Sequence, residues 1–191
     1  LEREIRQQQR IDGLAPSTIF FGGGTPSLLQ PHELGTLIGA TRETLGMPPD
    51  SEVTVECNPG TVTAEYLGAL RAQGVNRLSF GAQSASAEEL QLLGREHGFA
   101  DVARAVADSR AAGFDNVNFD LIFGLPRQSL ASWQHTIDAA LALAPDHISL
   151  YALTIEVGTP MYDWTRRGEV PFPDPDLAAD MYDYARAAMG E

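Results

Sequence analysis

Five short runs rich in β-branched and aromatic residues recur along the chain: "TIFFG" at 18–22, "EVTVEC" at 52–57, "VNRLSFG" at 75–81, "NVNFDLIFG" at 116–124 and "DHISLYAL" at 146–153. A stretch patterned for a helix separates each run from the next. This alternation limits the fold more than any other feature, because strand–helix–strand repeats close with crossovers and give a parallel sheet covered by helices. The runs carry Phe, Val, Ile and Leu without strict alternation, as strands buried on both faces do. An open doubly wound sheet and an arc of barrel both satisfy the pattern. At 191 residues the chain is expected to form one domain.

The helical stretches have legible faces and ends. Leu34, Leu37, Ile38, Thr41 and Leu45 fall on one side of the first. Thr63 caps a second through Tyr66, Leu67 and Leu70, ending near Gly74. Ser86 and Glu89 have capping-box spacing ahead of Leu90 and Leu93. Phe99, Val102, Ala103 and Val106 line a helix that ends by Gly113, and Ser129 precedes one carrying Trp133, Ile137, Ala140 and Leu141, stopped by Ala144-Pro145. Asp176 is expected to start a last helix with Leu177, Met181 and Tyr184 on one side. Residues 157–176 read as the longest irregular stretch, a loop over a site or against a further domain.

Charge and cysteine usage exclude several function classes. The net charge of −13, from 26 acidic and 13 basic residues, all arginine, argues against a nucleic-acid or anionic-membrane surface. A single cysteine, Cys57, leaves no internal disulfide framework and no multi-cysteine metal site, so a reducing, cytoplasmic setting is expected. His32, His97, His135 and His147 are scattered without metal-ligand spacing, and no Ser/His/Asp arrangement is visible. No apolar run approaches the roughly 20 residues of a membrane span, and the start lacks a signal-peptide layout. The charged amphipathic opening "LEREIRQQQRI" starts at Leu1 without a methionine, and the chain is expected to be a segment of something longer.

The first strand ends in "FFGGGTPSLL", where Gly22, Gly23 and Gly24 permit positive φ and close approach of a ligand to the backbone. Thr25 adds a hydroxyl and Pro26 fixes φ on leaving the turn. The segment has neither the GxGxxG layout of a dinucleotide fingerprint nor a phosphate-loop lysine. A tight turn with no ligand is an equal reading of the glycines alone. Polar residues also sit where the other strands end: Glu56 and Asn58, Ser79 and Gln83, Asp120, then Tyr151 and Thr154. In parallel α/β folds ligands bind at those ends. Each residue has a structural competitor: Glu56 can accept from nearby backbone N–H groups, Arg95 can be a solvated helix-end charge, and Cys57 can be a packed small hydrophobe. Asp120 needs partners, since a carboxylate in a buried strand costs several kcal/mol without them.

"IFFGGGTPSLL", "VTVECNPGTV", "GVNRLSFGAQS", "LLGREHG", "NVNFDLIFGLPRQS" and "HISLYALTIEVGTP", in that order and over almost the whole chain, resemble the radical S-adenosylmethionine proteins related to oxygen-independent coproporphyrinogen III oxidase, especially the heme-chaperone branch. The resemblance implies an α/β fold, a partial (β/α)6 barrel of the TIM-barrel kind truncated at both ends, with residues 1–191 as the central part of a radical core domain. It implies that Gly22, Gly23, Gly24 and Thr25 meet the amino end of S-adenosylmethionine. Glu56, Gln83, Arg95 and Asp120 match positions that hold its methionyl amino and carboxylate groups or its ribose hydroxyls, and Ile122 and the stretch from Tyr151 to Leu153 match positions around the adenosyl part. The chemistry suits those residue types: a carboxylate accepts from hydroxyls or an ammonium, Arg95 offers a rigid donor fork, and Gln83 donates and accepts.

Members of the family use a [4Fe-4S] cluster to split the sulfonium reductively into a 5'-deoxyadenosyl radical. The cluster's three cysteines come from a CxxxCxxC loop upstream of the glycine motif, and here only "LEREIRQQQRIDGLAPS" precedes it. The segment alone is therefore expected to hold no metal, no catalytic residue and no radical activity. "ECNPGTV" and "HISLYALTIE" lean toward the chaperone branch, with Cys57 at a place that is usually alanine. The implied function is binding heme and passing it to respiratory proteins, with an electron donor as a further partner. The alternatives are the oxidase, which decarboxylates two propionates of coproporphyrinogen III, and a non-catalytic ligand-binding scaffold.

Overall fold

The computed structural model describes residues 1–8 and 15–190. Five strands form one sheet in the order β1 (Thr18–Phe21), β2 (Glu52–Cys57), β3 (Arg77–Gln83), β4 (Val117–Phe123) and β5 (His147–Ala152). β1 and β2 pair in parallel with Ile19 beside Val53, and β2 and β3 with Val55 beside Leu78. The expected partial (β/α) barrel is borne out, a parallel sheet flanked by helices. The burial expected on both faces holds for β2, β3 and β4, whereas β1 and β5, at the sheet's two edges, leave Phe20 and Tyr151 more than half exposed.

Two compact units divide the chain, one comprising Leu1–Gly81 with Ala100–Asn118, the other Ala82–Phe99 with Phe119–Glu191. In the first, α2 (Pro31–Leu45), α3 (Ala64–Ala72) and α5 (Phe99–Ala111, from Ala100 onward) supply Leu34, Ile38, Leu67, Leu70 and Val102, all essentially inaccessible, as are Val53, Val55, Leu78 and Phe80 of the strands. Thr63 caps α3 as its sequence predicts, accepting from the Tyr66 N–H. The opening α1 (Glu2–Arg6) buries nothing and is tied by Arg6 to Glu2 and Glu43. Residues 9–11 of the amphipathic opening lie outside the described ones.

In the second unit α4 (Ala87–Leu92), α6 (Leu130–Ala142), α7 (Pro160–Arg166) and α8 (Pro175–Ala188) complete the set. Ser129 caps α6 by accepting from the Ser132 N–H. Trp133 is fully buried and its indole N–H donates to the Met181 carbonyl at 2.7 Å, fastening α6 to α8. Two expectations are corrected. The stretch 157–176 is not irregular throughout, because Thr159 accepts from the Tyr162 N–H and Pro160 sits at the first helical position, which starts α7. The last helix begins one residue earlier than Asp176, with Asp174 capping the N–H groups of Asp176 and Leu177 around Pro175.

Candidate functional site

In the first unit the chain leaves β1 at Phe21 and turns through Gly22, Gly23 (φ 79°) and Gly24 (φ 62°) before a short 3-10 turn, Pro26–Leu28, headed by Thr25. At Gly22 a β-carbon would lie 2.8 Å from the Phe20 ring and 3.2 Å from the Glu56 carboxyl carbon. At Gly23 and Gly24 it would meet nothing within 4 Å. The two left-handed glycines thus border open space. Glu56, next to the end of β2, accepts from the Gly23 N–H at 3.1 Å. The structural role open to Glu56 is therefore realised: one carboxylate oxygen holds the glycine turn. Beyond β2, the Ser27 hydroxyl accepts from the Asn58 N–H at 3.3 Å, tying the two loops a second time.

Cys57 follows Glu56 and is buried, with its thiol pushed up to about 12 by desolvation and then by the neighbouring Glu56 charge. A thiol of that kind is a packed small side chain rather than a nucleophile or ligand. Among the described residues no group of three or more His, Cys, Asp or Glu side chains is placed to hold a metal ion.

In the second unit Gln83 ends β3, buried, and with φ at 64° although it is not glycine. The Ser84 N–H donates to the Ala82 carbonyl at 2.8 Å, closing a three-residue γ-turn centred on Gln83. Asp120 and Ile122 are alternate residues of β4, both half-buried, and so share one face of that strand. Tyr151 lies one residue from the end of β5, and Leu153 follows that strand with its N–H on the Phe123 carbonyl at 2.9 Å. Arg95 is exposed in the loop after α4, its N–H bonded to the Leu90 carbonyl at 2.9 Å. Apart from Arg95, the candidates lie in the last half of a strand or just after it, except Asp120 at the middle of β4 and Ser79, which the sequence placed at a strand end but which sits third of the seven residues of β3.

Sequence reasoning missed a cluster behind Gln83. Glu89, 8% exposed, accepts from the hydroxyls of Ser84 and Ser132, each at 2.6 Å, and from Nε2 of Gln128 at 3.0 Å. Ser84 in turn accepts from the Ser86 N–H at 2.9 Å and lies 3.3 Å from the Thr136 hydroxyl, which accepts from the Ala85 N–H. The Ser86-x-x-Glu89 spacing disguised this cluster as a capping box. Only the Ser86 half of that box forms, at 3.4 Å, because the Glu89 side chain turns inward. A cleft of about 480 Å³ opens beside the cluster, lined by Glu88, Arg127, Ser129 and Trp164 as well as Glu89 and Gln128.

The model of the radical SAM superfamily matches residues 1–140. The chain is 43% identical over 190 residues to the mouse "Radical S-adenosyl methionine domain-containing protein 1, mitochondrial", covering 99% of this chain and 43% of that protein. It is 38% identical to a Mycobacterium tuberculosis protein named "Heme chaperone HemW", over 94% of this chain and 46% of that one. Among solved structures, coproporphyrinogen III oxidase (HemN) from Escherichia coli, a radical SAM enzyme, superposes with a TM-score of 0.75 at 30% identity over 90% of this chain and 39% of its own. The chain thus spans less than half the length of these relatives. The cytoplasmic expectation is corrected, since the mouse relative is mitochondrial by name. A lone cysteine speaks to redox poise, which more than one compartment shares.

Proposed function

Because the chain belongs to the radical SAM superfamily, we propose that it is part of a heme chaperone-like protein that binds S-adenosylmethionine and a [4Fe-4S] cluster and passes heme to respiratory proteins. The observation that carries the cofactor reading is the glycine turn after β1, whose two left-handed residues border open space while the Glu56 carboxylate fixes the Gly23 amide. Such a turn leaves bare backbone where an amino-acid moiety can pack. Glu56 has a second carboxylate oxygen for an ammonium or hydroxyl. Gln83, Arg95 and Asp120 supply the remaining polar groups for the methionyl carboxylate and the ribose, and Ile122, Tyr151 and Leu153 the apolar surface for the adenine. S-adenosylmethionine supplies the radical chemistry of the family, and these residues bind and orient it.

The described residues do not fit the cluster, because Cys57 is buried with a raised thiol and no other cysteine exists. A cluster in the proposed protein takes its ligands from residues outside this chain. The chaperone reading is favoured over the oxidase by 38% identity to a named heme chaperone against 30% to the solved oxidase.

The test uses the full-length protein, prepared without oxygen. Absorbance titration with heme is expected to show stoichiometric binding, and coproporphyrinogen III is expected to be left undecarboxylated. Loss of its propionates as carbon dioxide would move the protein to the oxidase branch. Neither heme binding nor decarboxylation would leave a ligand-binding scaffold.

A further inference from the structure

We propose that Glu89 is a positioning residue that locks the turn at Gln83 into the conformation in which Gln83 meets S-adenosylmethionine, the latter part resting on the cofactor reading above. A γ-turn with φ of 64° at a residue other than glycine is strained and persists only where its surroundings over-determine it. At Gln83 those surroundings are visible. The residue after it, Ser84, is fully buried, donates its hydroxyl to Glu89 at 2.6 Å, and accepts from the Ser86 N–H at 2.9 Å. The Ala85 N–H is taken by Thr136 at 3.2 Å. Residues 84–86 are thereby fixed in space, and Gln83 has no freedom to relax to negative φ.

Glu89 is the hub of this arrangement, since its other donors are Gln128 and Ser132, one in the loop after β4 and one in the first turn of α6. Gln128 also accepts from the Leu125 N–H at 3.2 Å through its carbonyl oxygen, so both loops hang on one carboxylate. Three donors converging on a single buried carboxylate are charge-assisted and short, and they are costly to lose together. An uncharged amide at this place keeps one acceptor oxygen and turns an N–H toward a hydroxyl, so the charge that strengthens all three bonds is lost.

The experiment compares Glu89→Gln, Ser84→Ala, Gln83→Ala and the double variant Glu89→Gln/Gln83→Ala with the full-length protein, taking Glu88→Gln as the control. Two quantities are read: hydrogen exchange at the amides of residues 84–86, and the dissociation constant for S-adenosylmethionine by calorimetry. Glu89→Gln and Ser84→Ala are expected to speed exchange at those amides, while Glu88→Gln leaves it unchanged. Glu89→Gln and Gln83→Ala are each expected to weaken binding about tenfold, and the double variant to bind no more weakly than Gln83→Ala. Unchanged exchange in Glu89→Gln overturns the proposal, and so do losses that multiply in the double variant, which would mean that Glu89 does not act through Gln83. Faster exchange with no change of affinity in either single variant supports the hold on the turn and overturns the cofactor role of Gln83, so the two readings fail separately.

Discussion

Gly22 and Gly24 occupy the same turn for different physical reasons, and alanine separates them. At Gly22 the backbone is ordinary but the added methyl meets the Phe20 ring and the Glu56 carboxyl. Phe20 is exposed and can swing away, so the stability cost stays within about 1 kcal/mol. Glu56 must move, and its hold on Gly23 goes with it. Gly22→Ala is therefore expected to weaken S-adenosylmethionine binding more than it lowers the urea midpoint. Gly24→Ala has room for its methyl but carries it at positive φ, at a cost of about 1–2 kcal/mol to folding. Cys57 makes a prediction in pH. Its folded thiol keeps a proton up to about 12, whereas the unfolded thiol releases it near 9.0. The contribution of Cys57 to stability is thus complete below the lower value and declines as pH rises between the two. Native protein at pH 9 is expected to resist alkylation that urea-unfolded protein undergoes at once; equal rates would place the thiol at the surface.

At the scale of elements, the α6–α8 pair depends on one side chain. Trp133→Ala removes a fully buried indole and is expected to cost about 3–5 kcal/mol. Trp133→Phe keeps most of the volume but removes the indole donor to the Met181 carbonyl, which keeps its bond within α8, a loss of about 0.5–1.5 kcal/mol. Urea unfolding checks both, and a Trp133→Phe variant as stable as the original chain would mean that packing alone joins the helices. Strands and helices of this kind were legible in the sequence because each carries its own signal: apolar runs for β2, β3 and β4, and Thr63 and Ser129 as caps. α7 was less legible, since Thr159-Pro160 is equally the start of a loop until its cap closes. The glycine turn and the polar strand ends could be read along one dimension. The Glu89 cluster could not, because Ser84, Gln128, Ser132 and Thr136 meet it from separate elements, and the only local cue pointed to a cap.

For the whole molecule, the proposed function carries an inventory of iron. The full-length protein is expected to bind about four irons with matching sulfide, and Cys57→Ser to leave that number unchanged. A fall in iron with Cys57→Ser would make Cys57 a ligand and undo its reading as packing. The two tryptophans give the molecule a different kind of visibility. Trp133 is sealed between α6 and α8 with the Phe123 ring 5.5 Å away, while Trp164 is half-buried on the wall of the cleft beside Glu89. Their light therefore divides by environment: the blue edge of the emission band belongs to the interior, and the red edge, open to iodide, belongs to the cleft. A single spectrum recorded with and without quencher would tell core loosening from a change at the cleft wall, with no dye attached.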